Sequence, residues 1–409
     1  MMTRLAVRTL GRNVRRTLLS VVGVGVGCAV ALFLSALMRG SSQIRLRAIA
    51  DSGFGHLRIA PQGWEQSRDN DLRLRDWEAE LQAARGLEGV KVAAPHARAQ
   101  GLLAFGTRVI GVEMLGVEPP AEEATNRLVR AIGEGRYLRP GDRGATVIGS
   151  VIAQRLDVAI DDELLLTAVR HGGQMQYAML RIVGLVHTGS REIDGVICHV
   201  PLEDLEELTG LPGAAEITVT VSDPTRIDEL AAALTGLVAD GDEALTWREV
   251  LPEQGGDAKS DEAFMDLFVG IVIFVVVLGV TSAQLTAMLE RRREFAVLLA
   301  LGMRGGQVVR LVLLEAVALG IVGTAVGLGL ATPLVYYTAT TGIDIAALMD
   351  GQLSFSGVLF DPVFYSHMGW WMVPHAAAIA VTSALVAALY PAWYAVRTKP
   401  TSALSLREA

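Results

Sequence analysis

Four stretches of this chain lose nearly all polarity for the length of a membrane crossing. Residues 17–38 carry no charge over about 22 positions, and at ~1.5 Å rise per residue that spans a hydrocarbon core of ~30 Å. Residues 264–289 repeat the pattern with Asp266 at the outer edge, 311–339 with Glu315 near the start, and 371–396 complete the set. The first stretch is too long for the apolar region of a signal peptide, and no A-x-A site ends it. Residues after Cys28 stay apolar, where a processed lipid-anchored chain turns polar, so an uncleaved helix is expected.

Arginine placement orients these spans. Arg4, Arg8, Arg12, Arg15 and Arg16 precede the first, Arg291, Arg292, Arg293, Arg304 and Arg310 lie between the second and third, and Arg397, Lys399 and Arg407 follow the fourth. No Lys or Arg occurs from 311 to 396, while Asp344, Asp350 and Asp361 mark the intervening loop. The positive-inside rule then puts segment 1–16, loop 290–310 and tail 397–409 in the cytoplasm, and 39–263 and 340–370 outside. Trp370 and Trp371 suit the outer interface. Gly23-x-x-x-Gly27 and Gly323-x-x-x-Gly327 allow close helix approach, either within one subunit or between two.

Within 39–263 the period changes to short alternating runs. Gln43, Ile44, Leu46 and Ile49 continue the first helix. Strands are expected at 56–60, 90–94, 101–105, 108–112, 146–148, 163–169, 178–186, 196–200 and 217–221, with His171-Gly172-Gly173 as a hairpin turn. Helices are expected at 72–85, 150–156, 202–208 and 227–237. The polar, turn-rich 252–263 reads as a hinge back to the membrane. The expected fold class is thus an α-helical membrane protein of four spans, with a large α+β domain outside between the first and second.

Composition agrees with that mixture: 51% hydrophobic, 20% charged, mean hydropathy +0.39. Catalytic chemistry is sparse. Of three lysines only Lys259 precedes a Ser, and Ala258 stands where a phosphate-binding loop needs Gly. Cys/His spacing suggests no metal, and nothing points to nucleic acid. His187, Ser190 and Asp194 lie close in sequence, but triads are assembled from distant positions, so a polar turn is the plainer reading.

The segment after the second span is different. Glu290-Arg-Arg-Arg-Glu294 is followed by Phe295-Ala-Val-Leu-Leu-Ala-Leu301, then Gly302 and Gly305-Gly306. This describes a short apolar helix, flanked by charge and stopped by glycine, on the cytoplasmic side. It needs a partner surface or the lipid headgroups to cover it.

Residues 290–302, with Gln307-Val-Val-Arg-Leu-Val-Leu-Leu-Glu315, resemble the core of FtsX-like ABC permeases. Pro391-Ala-Trp-Tyr-Ala-Val-Arg-Thr-Lys-Pro400 is similar to that family's closing segment, and Arg8-Thr-Leu-Gly-Arg-Asn-Val-Arg-Arg16 to its opening. Gly135-Arg-Tyr-Leu, Val147-Ile-Gly-Ser150 and Ala153-Gln-Arg-Leu156 resemble its extracytoplasmic domain. Asp161-Asp162 departs from the family's usual Gly-Asp.

The resemblance implies an inner-membrane permease that hydrolyses no ATP and binds no cofactor, with ATP and Mg used by a separate ATPase dimer. Glu290, Arg291, Arg293 and Glu294 would make polar contacts in an ATPase groove, Phe295 and Leu298 would fill apolar space there, and Gly302 would end the helix. A second permease subunit, identical or related, would complete the complex. Lipoprotein-releasing permeases of the LolC/LolE type fit best, with acyl chains entering near Val30, Phe33, Phe264 and Phe268 and a periplasmic chaperone as acceptor. A MacB-like efflux permease with a periplasmic adaptor, or an FtsX-like activator of a cell-wall hydrolase, is the alternative.

Overall fold

The computed structural model describes residues 14–64, 71–290, 292–344, 353–355 and 357–397. They fall into two compact units, one helical and one β-rich. The helical unit takes the chain up to Ser41, Ser260–Ile343 and the chain from Phe364; the β-rich unit takes Ser42–Lys259 and Asp344–Val363.

Five helices are used here: α1 (Val14–Ile49), α2 (Pro252–Glu290), α3 (Arg292–Ala300), α4 (Gly305–Thr340) and α5 (Met372–Arg397). All but α3 are long and apolar enough to cross a membrane. The expected hinge at 252–263 is instead the first three turns of α2. Pro252 opens that helix, where its fixed φ and missing N–H cost nothing, and the apolar run behind it carries the helix through Gly255 and Gly256.

Small residues set the packing of this unit. A Cβ on Gly323 would come within 2.5 Å of Val24, and one on Gly327 within 2.9 Å of Cys28. The second glycine pair therefore seats α4 on α1 inside one subunit. On α5, Ala376, Ala380, Ala384, Ala388 and Ala392 recur every fourth residue, each at most 2% exposed. The α2 span differs: only 6% of its most apolar window is buried, so Leu267, Ile271, Phe274, Val275 and Leu278 face outward.

Among the described residues the main sheet of the β-rich unit has ten strands: β1 (Leu57–Pro61), β2 (Val90–Phe105), β3 (Arg108–Val117), β4 (Ile132–Gly135), β5 (Ala145–Gly149), β6 (Glu163–Val169), β7 (Met175–Val186), β8 (Cys198–Pro201), β9 (Glu216–Val221) and β10 (Asp242–Thr246). Their order is β10-β1-β9-β2-β3-β8-β5-β7-β4, and β6 pairs with both β2 and β7. The strands β2-β3-β8-β5-β7-β6 thus return to β2 and close a ring. Strand β6 shows the expected alternation, with Leu164, Leu166 and Ala168 buried.

Strand β2 is one element where the sequence suggests two. Pro95 breaks the apolar pattern, yet it pairs with Ile217 of β9 just beyond the end of β3, whose last pair with β2 is His96↔Val117. A missing N–H on that open edge costs little. The first half of β2 belongs to a core with Leu57, Ile59, Val219 and Leu230, and the second half to one with Met114, Ile152, Leu164 and Ile182.

The loop between α4 and α5 is also more than a loop. Leu353–Phe355 and Val358–Phe360 form a hairpin within the β-rich unit. Val358 enters the first core and the adjacent Leu359 a third, around Val117, Leu128 and Leu138. Arg127 donates to Asp361 at 2.7 Å, and the Leu359 N–H donates to Ser52 Oγ at 3.0 Å.

Candidate functional site

The segment between the second and third spans begins where α2 ends at Glu290. Helix α3 follows, and Gly302 stops it at φ +93°, a conformation that side chains disfavour. The Gly302 N–H donates to Leu299 O at 3.1 Å, closing the last turn. Helix α4 restarts at Gly305, with the Arg304 N–H donating to Gln307 Oε1 at 2.9 Å.

Helix α3 is two-faced, and its faces differ from the expectation. Phe295 is 4% exposed, packed with Met288, Val308, Leu311, Val312 and Ala392 of its own bundle. Its ring therefore fills apolar space in this chain and is not offered to a partner groove. The outward positions are Val297, 45% exposed, and Leu301, 80% exposed. They lie four residues apart, on the face away from Phe295 and Leu299. That spacing was the available signal: once Phe295 turns inward, 297 and 301 turn out. Glu290 is exposed and Glu294 half-buried. Arg291 lies outside the described residues, as do the side chains of Arg293 and Leu298.

The four positions expected at a lateral entry are apolar and mostly uncovered. Val30 is 40%, Phe264 63% and Phe268 57% exposed, while Phe33 packs partly against the bundle. A Cβ on Gly27 would run into Val276, so α1 and α2 touch there. Six residues beyond Gly27 and eight before Val276 are rises of about 9 and 12 Å, which puts Phe33 and Phe268 at similar depth on two antiparallel helices.

The His187–Asp194 turn carries no hydrolase geometry. Asp194 Oδ1 accepts from Thr188 N at 2.9 Å and Thr188 Oγ1 at 2.7 Å, and Oδ2 accepts from Ser150 Oγ at 3.0 Å. His187 Nδ1 faces Ser150 Oγ at 3.1 Å, and Ser190 Oγ meets Ser354 Oγ at 2.7 Å. The carboxylate is spent on the turn, and Ser190 belongs to the outer hairpin.

A buried charged network crosses the sheet instead. Arg58 Nη1 lies 3.1 Å from Glu216 Oε2, with both side chains at most 1% exposed. Arg98 Nε donates to Glu216 Oε1 at 3.0 Å and its Nη1 to Glu113 at 3.1 Å. Burial alone would raise the Glu216 carboxyl; Arg58 and Arg98 outweigh it and hold its pKa at about 2. Nearby, His96 Nε2 meets Glu122 Oε1 at 2.6 Å, and Tyr137 OH meets His199 Nδ1 at 2.8 Å. Each acid here has a partner, so the network ties strands together. Among the described residues no cluster of His, Cys, Asp and Glu is placed to hold a metal.

Two family models cover the chain: the MacB-like periplasmic core domain over residues 17–237 and the FtsX-like permease C-terminal region over 267–400. The chain belongs to the FtsX-like permease family. This permease is 24% identical to the lipoprotein-releasing system transmembrane protein LolC of Xylella fastidiosa, over 94% of this chain and 92% of that one. It is 23% identical to LolE of Haemophilus influenzae, over 94% and 93%. It is 26% identical to the macrolide export ATP-binding/permease protein MacB of Rhodospirillum rubrum, over 84% of this chain and 54% of that one. The permease is thus an ABC transporter subunit with transmembrane helices and a periplasmic core domain.

Proposed function

We propose that this permease couples ATP hydrolysis by a separate ATPase subunit to movement of its periplasmic domain, and so extracts lipoproteins from the inner membrane. One observation carries the ATPase half: α3 is glycine-stopped, anchored from within by Phe295, and presents Val297 and Leu301 outward. Anchoring makes α3 stiff enough to transmit force, and the exposed pair supplies an apolar plug for a partner groove. Glu290 and Glu294, with Arg291 and Arg293, would add polar contacts at the rim. Both termini would be cytoplasmic, and ATP with Mg would bind only the partner.

The lipoprotein half rests on likeness across nearly the whole of both chains to relatives named for lipoprotein release, and on the uncovered apolar face of α2. An acyl chain needs such a face, whereas a hydrophilic solute needs polar lining. The test is co-expression with the neighbouring ATPase, purification in mild detergent and mass spectrometry. ATPase plus acylated lipoprotein is expected. An adaptor without acylated cargo would shift the assignment to MacB-like transmission, and absence of any ATPase would refute the coupling role. Leu301→Asp should release the ATPase without unfolding the chain, because Leu301 touches little of its own bundle.

A further inference from the structure

One cationic site in the helical unit is not explained by coupling or by cargo. Arg39 sits on α1 near the end from which the chain runs into the β-rich unit. Its guanidinium lies over the Trp371 ring, 4.3 Å from the centroid. Trp371 in turn meets His375 edge-on, with centroids 5.6 Å apart, and His375 Nε2 is 3.3 Å from Ser35 Oγ. Ser35 and Arg39 are one turn apart on α1, and Trp371 and His375 one turn apart at the start of α5. The two helices therefore present four matched residues at one level.

The backbone fixes this arrangement. The His367 N–H donates to Ala36 O at 2.8 Å, and a Cβ on Gly369 would come within 2.8 Å of the Trp371 ring. The stretch before α5 thus packs against α1 and seats the indole beneath Arg39. Trp370, 90% exposed, with Tyr336 and Tyr337 near the end of α4, marks the depth of a membrane interface. Among the described residues, no carboxylate pairs with Arg39.

The guanidinium carries five N–H donors in one plane, and the indole face, which accepts no hydrogen bond of ordinary strength, leaves them to other partners. At a membrane interface such a cation needs an anionic oxygen, and a phosphodiester matches its fork with two parallel hydrogen bonds. An arginine that only reached for water would need no ring from another helix to hold it. We propose that Arg39, held over Trp371 with His375 and Ser35 behind it, binds the phosphate of a phospholipid headgroup. The lipid stands at the junction of α1 and α5.

The test uses the complex purified in neutral detergent, with retained phospholipid counted by native mass spectrometry and phosphatidylglycerol added back by titration. Wild type is expected to hold a phospholipid that Arg39→Gln binds about ten- to a hundredfold more weakly, the span of a lost charged hydrogen-bond pair. Arg39→Lys, which keeps the charge and loses the fork, should fall between. Melting of Arg39→Gln at the wild-type temperature separates lost binding from lost folding. Equal lipid retention in Arg39→Gln and wild type would overturn the proposal. So would displacement of the lipid by millimolar inorganic phosphate, which would make the ligand a free anion. Loss of the second permease subunit with unchanged lipid would assign Arg39 to a protein carboxylate instead.

Discussion

Removing Glu216 tests the physics of the β-rich unit most directly. Glu216→Gln would remove the carboxylate that lies 3.1 Å from Arg58, a side chain 1% exposed. A pKa drawn from 4.5 to about 2 corresponds to about 3 kcal/mol of favourable interaction. Breaking a buried pair by removing one partner costs about 3–5 kcal/mol, because the remaining ion is stranded. The two figures agree. Arg98 softens the effect little, since it keeps Glu113 at 3.1 Å. Replacing both ions, as Arg58→Met with Glu216→Leu, removes both buried charges and should recover at least half the loss. Native-state hydrogen exchange of the β1–β9 amides in the full-length chain reads the local opening, with the pair Arg58↔Thr218 as reporter. A loss below about 1 kcal/mol for Glu216→Gln would refute the reasoning, as would a double variant as unstable as the two singles summed.

Acid should weaken the same unit through its histidines. Burial pushes His199 down to about 4, and burial with the charge of Lys91 does the same to His56. The unfolded chain therefore takes up protons first, so stability falls as pH drops from about 6.5 towards 4; a melting curve unchanged over that range would contradict it. Asp161 holds φ +71°, a conformation glycine adopts without steric cost, so Asp161→Gly should raise stability by about 0.5–1 kcal/mol in thermal melts. Gly327→Leu should lower helical-unit stability by about 1–3 kcal/mol by forcing α4 off Cys28, seen as faster exchange in α1 and α4.

Much of this architecture is legible from local pattern. The apolar runs give the spans, and alternation with His171-Gly172-Gly173 gives the β6–β7 hairpin, whose turn glycines take φ +91° and +83°. What the sequence hides depends on distant partners. Pro95 reads as a strand break until β9 covers one edge and leaves the other open. Phe295 reads as an outward plug until Val308 and Leu311 arrive from α4. The 340–370 loop gives no sign that Val358 and Leu359 each find a core formed more than a hundred residues earlier. The buried ion pairs are equally invisible, because Arg58 and Glu216 look like surface residues until the sheet encloses them.

The outer hairpin changes what counts as a separable piece of this permease. A fragment cut at 42 and 259 looks like a whole insertion, but it would omit Val358 and Leu359 and leave two apolar holes. A faithful excision must splice the hairpin back in trans or through a linker. In topological terms the chain passes between the two units four times, at 41–42, 259–260, 343–344 and 363–364. Four cuts, not two, are needed to free the β-rich unit from the rest of the chain.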